Sequence, residues 1–186
     1  MPKPTFLLLL LCISLLGCSP HTSEVVDAEA IETGEQLRKY LASKEFFEKP
    51  TTFGPFYIRR VVDGDTLDIV GLENGVRVIG PGAPEMNWKT GNPEPFAEEA
   101  MQFVGKFAKD AGNKVSLTFD GPVRDKYQRY LAHVSVGERE LTVELLESGL
   151  AKALLDFNYS PEYKERFRKA EQKAKDAKLG IWKGKK

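Results

Sequence analysis

The fold of this chain is decided by the stretch FYIRRVVDGDTLDIVGLENGVRVIG, residues 56–80. It contains three short runs rich in β-branched residues, FYIRRVV, DTLDIVG and GVRVIG, which favour strands. The pairs Asp63-Gly64 and Asn74-Gly75 separate these runs, and such pairs are strong signals for tight hairpin turns. The stretch therefore predicts three consecutive strands joined by two hairpins.

The residues that follow predict two more strands and a set of helices. Apolar side chains recur at helical spacing, which predicts a helix with one buried face; they are Phe96, Ala100, Phe103, Val104 and Phe107. That helix ends at Gly112, and KVSLTFD and RYLAHVSV then read as strands. LTVELLESGLAKALL predicts a helix that breaks at Gly149, and Pro161 opens a last, charged helix. Five strands with a helix between the third and fourth are typical of an OB-fold. The predicted class is α+β, a five-stranded OB-fold β-barrel with about three helices.

The opening stretch MPKPTFLLLLLCISLLGCSP is typical of an exported bacterial protein. It has a cationic start, an apolar run from Phe6 to Leu16 and small residues around Gly17. The run is too short to span a bilayer as a mature helix, which favours an export signal. Its LLGC ending resembles a bacterial lipobox, which implies cleavage before Cys18 and a lipid on that sulfur. We predict a lipoprotein signal peptide at residues 1–17, with an uncleaved anchor or an ordinary signal peptide as the alternative.

The predicted lipid on Cys18 would place the protein in the bacterial cell envelope, outside the cytoplasm. Ser19 rather than aspartate follows this cysteine, which favours the outer membrane in a Gram-negative cell. Cys12 leaves with the signal, so the folded domain is expected to have no disulfide and no cysteine metal site.

Residues 18–50 are predicted to be a tether and a short leader helix. The first part of this segment is polar and lacks periodicity, whereas Glu35 to Phe47 shows apolar residues near helical spacing. Pro50 and Pro55 mark a boundary. One domain is therefore predicted over residues 51–186, with no internal repeat.

The overall charge gives no support to a tight DNA binder. The chain has 27 basic and 27 acidic side chains, whereas DNA-binding domains are usually basic. Basic residues gather in the segment from Lys164 to Lys186, which can attract a polyanion or an anionic lipid surface. A solvated helix face is the simpler interpretation of the same residues.

Four side chains in a fixed order carry the chemistry: Asp65, Arg77, Glu85 and Arg129. Two carboxylates can hold a hard cation and activate a water, and two guanidiniums can bind a phosphate. Each group alone has an ordinary explanation, as a turn former, an exposed strand residue, a loop acid or a hairpin cation. Together they form a minimal set for metal-assisted cleavage of a phosphodiester.

The segments around these residues resemble the GDT, R…APE and DKYGR blocks of the staphylococcal nuclease (thermonuclease-like) family. This chain has GDT at 64–66, Arg77 followed by APE at 83–85, and DKYQR at 125–129. The likeness includes LAKA and the terminal GIW, and it extends from Phe56 to Trp182.

The resemblance implies a nuclease that hydrolyses DNA and RNA with calcium and leaves 3′-phosphates. It implies that Asp65 and the backbone carbonyl of Ala83 bind the metal and that Glu85 is the general base. Arg77 and Arg129 are implied to bind the phosphate and stabilise the transition state. A final pair, Lys126 and Tyr127, matches residues that line the nucleotide pocket. No protein partner is evident, and the family default is a monomer.

This chain departs from the family pattern at two places. Gly82 stands where the second calcium carboxylate is expected, and it offers no side-chain oxygen. Water can fill the gap but does not replace the charge, so we expect a rate lowered by about 10²–10³ at modest calcium. Leu155 and Phe157 stand where relatives often have nucleotide-contacting tyrosines, although Phe157 can still stack.

Two other functions remain open from the sequence. The chain can be a non-catalytic nucleic-acid-binding OB-fold lipoprotein that keeps Arg77, Arg129 and Tyr127 but has lost the metal chemistry. It can also be an envelope interaction protein that uses its basic C-terminal helix, with the barrel as a scaffold.

Overall fold

The structure is a computed structural model that describes residues 24–25 and 34–184. The predicted signal peptide and Cys18 lie outside the described residues. Within that part of the chain, the helices are all too short or too polar to cross a membrane.

The described residues form nine strands, four α-helices and one 3₁₀ turn. The strands are β1 Glu24–Val25, β2 Phe46–Val61, β3 Thr66–Ile69, β4 Val76–Val78, β5 Pro81–Gly82, β6 Lys114–Pro122, β7 Tyr130–Val136, β8 Arg139–Glu140 and β9 Lys152–Ala153. The helices are α1 Gly34–Ser43, α2 Ala97–Asp110, α3 Leu141–Glu147 and α4 Pro161–Asp176, followed by the 3₁₀ turn Gly180–Trp182.

Five of these strands close into a curled sheet. β2, β3 and β4 pair as successive antiparallel hairpins, and β4 then pairs with β7 in the parallel sense. β7 pairs with β6, and β6 returns to β2, which bends through two register shifts. This arrangement confirms the predicted α+β class and its OB-like barrel, with α2 between the third and fourth barrel strands in chain order.

The helical predictions downstream of the barrel hairpins are confirmed. α2 buries Val104 and Phe107, two of the residues whose spacing predicted it. α3 ends just before Gly149, and α4 begins with Pro161 at its first turn. α4 buries Ala170, Ala174 and the large side chain of Phe167, so this charged helix packs an apolar face into the core. Burying a side chain of this size contributes about 1.5–3 kcal/mol.

The N-terminal segment packs onto the barrel ahead of Thr51, where the sequence placed the start of the domain. Leu41 of α1 is fully buried, and the Phe47 ring stacks on Phe119 with centroids 5.5 Å apart. The leader helix ends at Ser43 rather than at Phe47. Phe47 belongs to β2 instead, because its backbone pairs with Gly121 of β6.

Candidate active site

A tight turn between β2 and β3 presents Asp65. The carboxylate of Asp63 accepts a hydrogen bond from the Asp65 N–H at 2.9 Å, which makes Asp63 the turn former that its sequence context favours. Gly64 must be small, since a Cβ there would lie 2.5 Å from the Cβ of Ala83 and 2.8 Å from that of Ala100. The close approach of two chain segments therefore fixes the position of Asp65, which is only 6% exposed.

The carboxylate of Asp65 is held by partners from three parts of the chain. Its Oδ1 lies 2.6 Å from Arg77 Nη1, and its Oδ2 accepts a hydrogen bond from the Ala83 N–H at 2.9 Å. The hydroxyl of Thr66 donates to Oδ1 at 3.2 Å. The register of the β3–β4 hairpin explains the ion pair, because Thr66 lies directly opposite Arg77.

Burial raises the pKa of Asp65 to about 7. The loss of hydration outweighs the opposing effect of the Arg77 cation, and the nearby Asp63 carboxylate raises the pKa further. A second cation beside Asp65 would stabilise its ionised form. The surroundings of Asp65 therefore favour a cation next to this carboxylate, including a cation that also contacts a phosphate.

Arg129 reaches the same turn from the loop before β7. Asp125 orients it, because Asp125 Oδ2 lies 2.7 Å from both Nε and Nη2 of Arg129. The other oxygen of Asp125 accepts hydrogen bonds from the N–H groups of Tyr127 and Arg129. Arg129 Nη1 lies 3.5 Å from the hydroxyl of Thr66. Arg77 and Arg129 thus meet at Asp65–Thr66 with 19% and 28% of their side chains exposed.

The predicted base, Glu85, has an exposed side chain at the start of a loop. Its N–H donates to the carboxylate of Glu94 at 3.0 Å, and the N–H of Glu94 donates to the Glu85 carbonyl at 2.9 Å. These two hydrogen bonds join the two ends of the loop that runs from Glu85 to Glu94. Within this loop Trp88 is 63% exposed, and its indole N–H donates to the carbonyl of Val62.

Lys126 and Tyr127 lie exposed beside Arg129. The Tyr127 side chain is 65% exposed, with Lys126 Nζ 5.0 Å and the Arg129 guanidinium 5.4 Å from its ring centroid. An exposed ring between two cations is suited to stacking a base next to a bound phosphate.

The place expected to hold the second carboxylate is bordered by an apolar side chain, that of Leu154. Gly82 pairs with Lys152 in the short β5–β9 ladder, and a Cβ at Gly82 would lie 3.0–3.3 Å from the Leu154 side chain. Over the described ranges 24–25 and 34–184, no three Asp, Glu, His or Cys side chains are grouped so as to hold a metal. Of the groups predicted to bind the metal, Asp65 offers the only side-chain oxygens, so a calcium ion bound here would need water for most of its ligands.

The structure brings together Asp65, Arg77, Ala83 and Arg129, whereas Glu85, Lys126 and Tyr127 lie exposed around them. The sequence reasoning missed Trp88, Glu94 and Leu154. A tryptophan in the Asn-, Gly- and Pro-rich loop three residues after Glu85 was an available signal for the first. Glu94 acts through hydrogen bonds to Glu85 within one irregular loop, and Leu154 contacts Gly82 from a distant segment, so no periodic pattern reveals either.

The chain is similar in sequence to known proteins over most of its length. The family described as staphylococcal nuclease homologue matches residues 75–184. The thermonuclease of Staphylococcus hyicus is 34% identical over 131 residues, which cover 68% of this chain and 75% of that protein. Endonuclease YncB of Bacillus subtilis (strain 168) is 36% identical over 126 residues, or 66% of this chain and 59% of that protein. The SPbeta prophage-derived endonuclease YokF of the same strain is 36% identical over 126 residues, covering 66% of this chain and 42% of that protein. The match thus spans less than two thirds of each of these two Bacillus subtilis proteins.

Proposed function

The chain belongs to the staphylococcal nuclease homologue family and is a phosphodiester hydrolase, and on that premise we propose that it is a calcium-dependent nuclease acting on both DNA and RNA. One observation carries the proposal. Arg77 and Arg129 come from different parts of the barrel and place their guanidinium groups against adjacent residues, Asp65 and Thr66. Two fixed cations at one partly buried place are suited to bind a phosphate.

The chain's own residues account for most steps of the hydrolysis. Negative charge grows on the phosphoryl oxygens as water attacks, and the two guanidiniums stabilise that charge. Asp65 and Asp125 already hold them in position, so little reorganisation is needed at the moment of reaction. Glu85 accepts the proton of the attacking water. The bond from phosphorus to the 5′ oxygen then breaks and that oxygen takes up a proton from solvent, which leaves a 3′-phosphate and a 5′-hydroxyl.

Calcium is assigned to Asp65 and the backbone carbonyl of Ala83. When bound, the ion supplies positive charge to the phosphate and lowers the pKa of a coordinated water. The buried Asp65, whose pKa is raised to about 7, supports the assignment, because a cation offsets the cost of its ionisation. Neither Gly82 nor Leu154 has a side-chain oxygen to offer the ion. We therefore propose weak calcium binding and a rate below that of a site with two carboxylates.

The cellular setting rests on the sequence of the first eighteen residues. We propose that a lipid on Cys18 anchors the mature chain to the bacterial envelope, outside the cytoplasm, as a monomer. Metabolic labelling of the expressed chain with a palmitate analogue tests this, with Cys18→Ser as the control that must lose the label.

The test of the enzymatic proposal is cleavage of fluorogenic single-stranded DNA and RNA by the full-length chain in a non-ionic detergent. Both substrates are expected to be cut in calcium and to remain intact in chelator. Glu85→Gln is expected to lower the rate by about 10²–10³. Cutting that persists in chelator would contradict the calcium assignment, and cutting that Glu85→Gln leaves unchanged would contradict the role of the base.

A second function is favoured by the apolar contact at Gly82. A chain that holds calcium too weakly for turnover would still bind nucleic acid through Arg77, Arg129 and Tyr127. Such a module would bind single strands equally well with calcium or chelator, and its affinity would fall steeply with added salt. Absence of cleavage at any calcium concentration, together with this salt dependence, would replace the enzymatic proposal with the binding module.

A further inference from the structure

Trp88 is exposed and yet held in place. Its side chain is 63% exposed, while its one polar atom, the indole Nε1, donates a hydrogen bond to the Val62 carbonyl at 3.2 Å. A large aromatic ring on the surface normally finds apolar contacts or moves freely. Here the hydrogen bond to Val62 holds the Trp88 indole by its polar edge, so a face of the ring stays accessible to a ligand.

The anchor of Trp88 belongs to the turn that carries the candidate active site. Val62 donates its N–H to the Thr66 carbonyl at 2.9 Å, and the Thr66 hydroxyl lies 3.5 Å from Arg129 Nη1. Trp88 itself follows Glu85 by three residues. The Trp88 ring is therefore connected to both parts of the site. Hydrogen bonds link it through Val62 and Thr66 to Arg129, and three residues of chain link it to Glu85.

The loop that carries Trp88 is ordered by its own hydrogen bonds. Glu85 and Glu94 close its base, and the Asn87 side-chain amide donates to the Asn92 carbonyl at 3.0 Å. The Asn87 carbonyl in turn accepts the N–H groups of Thr90 and Gly91. Binding a ligand to a ring that is already positioned loses little conformational entropy.

Exposed aromatic rings concentrate around this site. Among the described residues, the three most exposed large apolar side chains are Tyr127 at 65%, Trp88 at 63% and Phe157 at 60%. Tyr127 contacts Arg129, and Phe157 follows Leu154, which packs on Gly82. Every nucleobase has a flat face that stacks on such rings, whatever its sequence. Continuity with a phosphate-binding centre therefore favours a nucleobase, not a protein, as the occupant.

We infer that Trp88 is a base-stacking residue that binds one unpaired nucleobase of a single-stranded substrate, next to the phosphate held by Arg77 and Arg129. The inference rests on the proposed function, because it needs the phosphate at that centre. It adds a second stacking ring besides Tyr127, on the Glu85 side of the site.

The fluorescence of Trp88 gives a direct test. The chain has two tryptophans, so Trp182→Phe leaves Trp88 as the sole emitter, and Glu85→Gln in the same full-length chain suppresses cleavage in calcium. Oligothymidine is titrated against an oligonucleotide of equal length whose sugars lack bases. We expect oligothymidine to quench the Trp88 emission and the abasic strand to leave it unchanged.

Affinity measurements on the same background separate stacking from folding. Trp88→Ala is expected to weaken oligothymidine binding by about 5- to 150-fold, and Trp88→Phe is expected to restore most of the loss. Tyr57→Ala is the matched control, because Tyr57 is 49% exposed on β2 and pairs with Lys114 outside the site. It should leave the affinity unchanged.

The outcomes distinguish this inference from the proposed function. If Arg129→Ala weakens binding while Trp88→Ala and the emission do not respond, the stacking role is wrong and the phosphate centre stands. Equal quenching by the abasic strand also overturns stacking. If the background binds no oligonucleotide in calcium, both proposals fail together.

Discussion

Two buried carboxylates in this protein are alike in burial but differ in their surroundings. Asp65 and Glu140 are each 6% exposed, and burial raises the pKa of each to about 7. Each also pairs with an arginine, Asp65 with Arg77 at 2.6 Å and Glu140 with Arg166 at 2.7 Å. A shifted pKa and an ion pair therefore do not identify which of the two belongs to the active site.

The neighbours of each carboxylate make the distinction. Around Asp65, the Arg129 guanidinium and the Ala83 N–H converge, and Arg77 and Arg129 both stay partly exposed. Around Glu140, the His133 ring stacks on Tyr163 with centroids 3.7 Å apart, and its nitrogens lie 3.5 Å from Asp120 and 3.8 Å from Glu140. This second cluster joins α4 to the barrel, so we assign it a role in stability.

Replacing each acid by its amide is the strongest test of whether Asp65, and not Glu140, belongs to the active site. Asp65→Asn is expected to lower kcat/KM by about 10³-fold, because it removes the carboxylate that orients Arg77 and is assigned to the metal. Glu140→Gln is expected to leave kcat/KM within about twofold, since its cluster lies beneath α4. Initial rates on single-stranded DNA in calcium check both variants. A large loss in Glu140→Gln with an intact fold would show that the two clusters are coupled.

The pH dependence of stability should reveal Glu140, and Asp65, whose pKa is also raised to about 7, contributes in the same direction. The pKa of Glu140 rises from an ordinary 4.5 to about 7 on folding, so the folded state holds the proton more tightly than the unfolded chain does. The free energy of unfolding therefore falls as the pH rises from about 4.5 to 7, by up to about 3 kcal/mol from this group. His133 opposes this change, because burial lowers its pKa and its neutral form is favoured in the fold.

Glu140→Gln isolates that contribution, because an amide cannot ionise. Urea unfolding of the parent and the variant at pH 5, 6.5 and 8 is expected to show the variant gaining stability relative to the parent as the pH rises. Arg166 is 46% exposed and regains hydration in the variant, so its lost partner costs little. A difference that stays constant across this range would mean that Glu140 has an ordinary pKa in the folded protein.

Local sequence patterns predicted the barrel strands, the turn at Asp63–Asp65 and α2, because each depends on residues close in the chain. The helical assignment of Phe47 was wrong, since pairing with β6 decided its conformation. The site could be predicted only in part for the same reason. Gly82 was noticed as a missing oxygen, but the side chain that packs against it comes from Leu154, 72 residues later in the sequence.

The Gly82–Leu154 contact gives a further test, on the side of the site to which calcium is assigned. Gly82→Asp alone is expected to bind calcium little better than the parent, because its Cβ would meet Leu154 at 3.0–3.3 Å and the side chains must move apart. Leu154 is half-buried, and its side chain must shift by a few tenths of an ångström to admit the new Cβ. Gly82→Asp combined with Leu154→Ala is expected to bind calcium about tenfold more tightly, since the added charge is then accommodated.

A double-mutant cycle over Gly82→Asp and Leu154→Ala measures this coupling, with calcium affinity read by titration calorimetry and by the calcium-dependent rise in Tm. Leu155→Ala, on the adjacent half-buried leucine, is the matched control and should not improve the affinity of Gly82→Asp. Equal calcium affinity in the single and double variants would mean that Leu154 yields without cost. In that case the weak calcium binding of the parent would come from the missing carboxylate alone, and the contact with Leu154 would play no part.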